Sequence, residues 1–185
     1  MMTRESTTNK NEGFSLIELL IVVAIILIIA AIAIPNLIRA KIAANQSSAA
    51  ASLRTLDSAA TMYSNTYQNG YPPDPGLSFL APPAAGGNPN CNAAGVIDAT
   101  LAAGQKSGYQ FTWVQGASPV PAGDVAGGCP DGYDDMFSVT ASPFGFPTGT
   151  TYYCVDATGV IRQSFVAITA TAAGCPTTAL PIGND

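Results

Sequence analysis

The chain has no histidine in its 185 residues. That removes imidazole acid–base chemistry, serine or cysteine nucleophiles activated by imidazole, and His-ligated zinc. The residues left for chemistry are carboxylates and thiols. Asp131, Asp134 and Asp135 lie together in CPDGYDDMF and have the oxygen ligands a hard cation such as calcium needs; a solvated acidic turn has the same composition. Beyond that calcium no cofactor is expected, and the single Trp113 reads as a core residue. The cysteines are Cys91, Cys129, Cys154 and Cys175. Their wide spacings, with no C-x-x-C pair, point away from zinc and thioredoxin chemistry. An even count in a thin, loop-rich, exported segment reads as two disulfides. Of the three possible pairings we prefer Cys91–Cys129 with Cys154–Cys175, because it staples two loop regions separately.

One acid stands in an unusual place. Glu18 lies at the mouth of an apolar run, and a carboxylate within hydrocarbon costs about 2.5–3.5 kcal/mol on insertion scales. A cationic partner at that depth is missing, since no Lys or Arg occurs between Lys10 and Arg39. The chain can supply one if it is cut between Gly13 and Phe14. The new α-amine on Phe14 would stand at i, i+4 from Glu18, able to pair with its own helix or with a staggered neighbour. The alternative is a protonated Glu18 tolerated near the headgroups.

The elements around these residues follow from hydropathy. Leu19–Ile34 is an unbroken run of sixteen apolar residues. With the residues from Phe14 it predicts a helix of roughly 31 Å, the thickness of a bilayer's hydrocarbon core. A cleavable secretory signal is the other reading, with Ala31-Ile32-Ala33 as a small-x-small site. The stretch from Phe14 exceeds the usual h-region and contains Glu18, both of which argue for an anchor. Pro35 would stop or kink the helix. Residues 36–69 contain no Gly or Pro, and Leu53, Leu56, Ala60, Tyr63 and Tyr67 make an apolar stripe at helical spacing. The helix is therefore expected to run from Phe14 to Asn69, about 84 Å, and to end with Gly70 as its left-handed cap before Pro72-Pro73.

From residue 71 onward the composition changes, with 16 Gly and 13 Pro in 115 residues. Aromatic and β-branched residues punctuate it, which predicts short strands tied by loops. The strands expected are Tyr109–Val114, Met136–Ala141, Thr151–Val155 and Val160–Phe165, the last two joined by a turn at Asp156-Ala157-Thr158-Gly159. Residues 72–107 read as a long connection with little regular structure, and 166–185 as a Thr/Ala-rich tail. An antiparallel sheet packed on the Leu53–Tyr67 stripe defines an α+β head.

The segment Gly13-Phe14-Ser15-Leu16-Ile17-Glu18-Leu19-Leu20, behind a short polar leader, resembles the class III signal of type IV pilins and type II secretion pseudopilins. The resemblance covers about residues 10–70 and is specific at 13–18. It implies a leader at 1–13, a membrane or filament-core helix at 14–35, an amphipathic half at 36–70 and a head at 71–185. It further implies cleavage by prepilin peptidase between Gly13 and Phe14, N-methylation of Phe14, pairing of Glu18 with a neighbour's amino terminus, and Pro35 at the helix-perturbing position of the family. The expected partners are identical or homologous pilin subunits, an inner-membrane assembly platform, and the bilayer before assembly. Nucleic acid would be met only through the assembled fibre.

Charge agrees with a non-enzymatic, non-nucleic-acid-coating chain: the net charge is −5 and only 10% of residues are charged, too few cations to neutralise a phosphate backbone. The expectation is a structural subunit that waits in the bacterial inner membrane with its short N-terminus cytoplasmic. It then joins a surface filament serving adhesion, twitching or DNA uptake. A pseudopilin of a type II secretion system and a non-polymerising membrane protein with a binding head are the two alternatives.

Overall fold

The computed structural model describes residues 14–120, 128–129, 131–133 and 136–183. Two units are distinguished, Met1–Arg39 and Ala40–Asp185. Helix α1 (Leu16–Tyr67) belongs to both and contains Pro35 in its interior, so the proline does not stop it. The residues on either side are strong apolar or Ala-rich helix formers, and the run resumes its hydrogen bonding beyond the single lost donor.

In the first unit the apolar side chains are exposed among the described residues: the most apolar 18-residue stretch of α1 is 0% buried. The second unit is an α+β head. Ala49, Leu53, Leu56, Ala59, Ala60 and Tyr63 of α1 are buried against it, one face at three- and four-residue spacing. α1 ends at Tyr67, and the left-handed residue that follows is Gln68 (φ 54°), not Gly70. Gly70 also has positive φ (73°), and a Cβ there would in addition lie 2.7 Å from the Tyr133 carbonyl oxygen. The Tyr71–Tyr133 bridge needs that close approach.

Two short helices follow, α2 (Gly76–Leu80) and α3 (Ala99–Ala102). The sheet comprises β1 (Gln105–Lys106), β2 (Tyr109–Gln115), β3 (Phe137–Pro143), β4 (Tyr152–Asp156), β5 (Arg162–Ser164) and β6 (Leu180–Pro181). Its spatial order is β1-β2-β3-β4-β5-β6 and every pairing is antiparallel. In β2 the alternation is plain: Tyr109, Phe111 and Trp113 are buried and Gln110 and Thr112 exposed, the period-two pattern of a sheet with one face on the core. Trp113 stacks on Phe137 at 4.8 Å between ring centroids and 7° between planes. Its indole N–H donates to the Pro72 carbonyl at 3.2 Å.

Residues 72–107 hold the short elements α2, α3 and β1, and they bury Leu77, Leu80, Ala94, Ile97 and Leu101. Ala94 and Ile97 come from the loop between α2 and α3, and Leu77, Leu80 and Leu101 from those two short helices. Asp98 fixes one of these by accepting the Leu101 N–H at 2.9 Å, an N-cap. The Thr/Ala-rich tail after 166 contributes to the head as well. Leu180 pairs with Gln163 in β6, and Ile168 and Ala179 are buried beside Cys154. The turn at Asp156–Gly159 is present, closed by a Gly159 N–H to Asp156 carbonyl bond of 2.9 Å with Gly159 at φ 72°.

Candidate assembly site

At the head of α1 the local chemistry is that of a helix start. Ser15 precedes the first helical residue, and its backbone N–H donates to Glu18 Oε2 at 2.9 Å. The Leu19 N–H donates to the Ser15 carbonyl at 3.3 Å. This is one half of a capping box, in which an acid three residues past the N-cap reaches back to an orphan amide. The S-x-x-E spacing carried that signal in the sequence, where Glu18 was read only as an acid in search of a cation. Phe14 is 85% exposed. Gly13 and the leader lie outside the described residues.

The geometry has a direct electrostatic consequence. A helix N-terminus is a site of partial positive charge, and an α-amine on Phe14 would add a full one next to it. Glu18 is the only acid in the first turn. One carboxylate would then serve both the Ser15 amide and an ammonium, its own or a neighbour's, which is why its charge and its capping role must be separated by experiment.

In the head, disulfides join Cys91 to Cys129 with 5.5 Å between Cα atoms and Cys154 to Cys175 with 5.9 Å. Asp131 is exposed, while Asp134 and Asp135 lie outside the described residues. Among the described residues no group of three His, Cys, Asp or Glu could hold a metal.

The residue the sequence reading missed is Asp156, 95% buried at the end of β4. Its Oδ1 accepts the Thr158 N–H at 3.0 Å and the Thr158 hydroxyl at 2.5 Å, while Oδ2 accepts the Cys175 N–H at 3.0 Å. A single carboxylate thus ties the β4–β5 turn to the loop closed by Cys154–Cys175. The D-x-T spacing marked the turn half of this arrangement. The bond to Cys175 spans nineteen residues and had no local signal. Nearby, burial, and then the Asp156 charge, raise the Asp57 carboxyl above its ordinary value. The native state therefore holds the Asp57 proton more tightly than the unfolded chain, so this group's contribution to stability falls as pH rises from the ordinary carboxylate range through the raised native value. Asp57→Asn should make the head more stable than the parent to urea at about pH 7, with the gain vanishing near about pH 3. Equal midpoints at both would contradict the assignment. Elsewhere, burial pushes the Tyr109 phenol up to about 12. It stays neutral and donates to the Thr151 carbonyl at 2.9 Å.

An apolar, partnerless helix led by Phe14 and Glu18, continuing into an antiparallel α+β head, is a pilin-like architecture. Residues 8–34 match the prokaryotic N-terminal methylation motif. The chain is 57% identical over 47 residues to the type IV major pilin protein PilA of Myxococcus xanthus (strain DK1622). That match covers 25% of this chain and 21% of the relative, so it speaks for the N-terminal region. The relation is to a pilin. No solved structure matches the chain.

Proposed function

We propose that this chain is a prepilin that waits in the inner membrane through α1 and polymerises into a type IV pilus. The observation that carries the reading is the Gly13-Phe14-x-x-x-Glu18 spacing at the head of a helix whose most apolar 18 residues are 0% buried. Such a surface needs lipid or the same helix from other copies. Hydrocarbon and helix are similarly apolar, so transfer between them releases little free energy, and close packing with neutralised charge sets the register. Prepilin peptidase would remove residues 1–13, and an assembly platform would do the work of extraction. Adhesion, motility and DNA uptake are the outcomes that such a fibre serves.

Mass analysis of the protein purified from sheared surface fibres tests this. The expected N-terminus is N-methylated Phe14. An intact Met1, or a start just after Ala33, would overturn the reading in favour of a plain anchor or a secreted head.

A further inference from the structure

The large apolar side chains exposed on the second unit are unevenly placed. Among the described residues from Ala40 on, Leu180 is 61% exposed and Met62 56%, and the three most exposed are Phe165 at 82%, Phe146 at 77% and Val166 at 74%, joined by Phe144 at 56%. These three and Phe144 come from two segments far apart in sequence, the β3–β4 loop and the stretch directly after β5. Strand register brings the two segments to one end of the sheet. Pro143, which ends β3, lies opposite Tyr109, which begins β2. Tyr152, which begins β4, lies opposite Ser164, which ends β5.

The same sheet end is where residues 45–48 of α1 attach. Asn45 Nδ2 donates to the Thr148 carbonyl at 2.8 Å, and Gln46 Nε2 to the hydroxyls of Thr150 and Thr151 at 3.0 and 3.1 Å. The Ser48 and Ser107 hydroxyls share a hydrogen bond of 2.9 Å. The β3–β4 loop is held in shape: the Phe144 N–H donates to the Gly108 carbonyl at 3.1 Å and the Thr148 N–H to the Gly145 carbonyl at 2.7 Å. Its phenyl rings are therefore presented by a fixed backbone. Toward the N-terminus the chain next reaches Lys41, exposed and on the Asn45 face one turn earlier. A few residues further along the chain the apolar run begins.

Among the described residues several acids stand away from this end. Asp156 ends β4 at the opposite end of the sheet, with Asp57 close enough to feel its charge. The Asp74 N–H binds Gln115, the last residue of β2. Near the apolar end the acid is Asp98, neutralised by Lys106 at 3.0 Å.

We infer that this end of the head is a bilayer-facing rim, in which Phe144, Phe146, Phe165 and Val166 seat at the headgroup–acyl boundary and Lys41 meets anionic headgroups. The bilayer is the occupant because in sequence the membrane-spanning run ends only a few residues before Lys41, and because this end of the head carries exposed apolar rings and an exposed cation, while Asp98 near it is paired with Lys106. Aromatic and aliphatic side chains beside lysine are what the interface takes up. The inference rests on the reading of α1 as a membrane anchor. It adds that the head is not a free bob on a tether: before assembly it stands on the membrane in one orientation.

The test uses the full chain in phosphatidylethanolamine–phosphatidylglycerol vesicles with brominated acyl chains, which quench tryptophan on contact. Phe146→Trp and Phe165→Trp place probes on the rim, and Val160→Trp places one in the β4–β5 turn at the other end. Trp113, buried against Phe137, reports in each sample that the head is folded. The rim tryptophans should lose most of their emission on moving from plain to brominated lipid, while the Val160→Trp probe and Trp113 keep theirs. A chain recovered with the vesicles but unquenched at both rim positions overturns the rim and leaves the anchor standing. Equal quenching at Val160→Trp overturns it also. So does rim emission that depends on protein-to-lipid ratio and not on bromine, which would assign the patch to a second copy. A chain that does not float with the vesicles overturns the anchor and the rim together.

Discussion

A chain carrying Glu18→Leu should enter the membrane at least as readily as the parent and yield few or no fibres. Insertion improves because a carboxylate costing about 2.5–3.5 kcal/mol in hydrocarbon is replaced by an apolar side chain. Assembly fails because the ammonium on Phe14 would then stand at the positive end of a helix with no acid in the first turn. Glu18 also accepts the Ser15 N–H at 2.9 Å, so loss of the cap, about 1 kcal/mol, is a competing cause. Glu18→Gln separates the two, because glutamine fills the same place in a capping box without charge. If charge is what matters, Gln and Leu should be equally poor in sheared-fibre yield at unchanged membrane content. Normal fibres from Glu18→Gln would reduce Glu18 to a cap.

Removing Cys91–Cys129 should be the most damaging covalent change to the head. The bond closes 38 residues of sequence, which in the chain-entropy picture is about 4 kcal/mol, against a total stability of about 5–15 kcal/mol for a domain of ordinary size. It also holds the Cys91 carbonyl where the buried Tyr63 hydroxyl donates to it at 2.8 Å. Cys154–Cys175 closes 21 residues, about 3 kcal/mol by the same reasoning. That loop stays tied without its sulfurs, through Asp156 to the Cys175 N–H and through the β5–β6 pairing. Urea unfolding of the Cys91→Ala/Cys129→Ala and Cys154→Ala/Cys175→Ala chains should therefore show the larger midpoint loss for the first. The reverse order would mean that Asp156 does not hold its loop.

What could be read from the residues alone was what depends on neighbours in the chain. The apolar run from Leu19, the Leu53–Tyr63 face of α1 and the alternation of Tyr109, Phe111 and Trp113 all declare themselves within a window of one element. Four features escaped for the opposite reason. Leu77, Leu80 and Leu101 lie in helices too short to show a period, and their burial is decided by the sheet they meet. The two residues of β6 form a strand only because Gln163 stands opposite Leu180. Asp156 looked like a turn residue, and its second function depends on an amide nineteen positions away. At the end of α1, glycine was the natural choice for a left-handed residue, yet Gln68 takes that conformation and Gly70 is reserved for contact with Tyr133.

The sheet's two borders are each only two residues long, Gln105–Lys106 and Leu180–Pro181. One carries a lysine and the other a proline. Strands this short give another sheet little to extend at the border itself. On the reading proposed above, copies of the chain would be packed closely, where open strand edges invite pairing into an inert cross-β deposit. Short border strands carrying a lysine and a proline narrow that route.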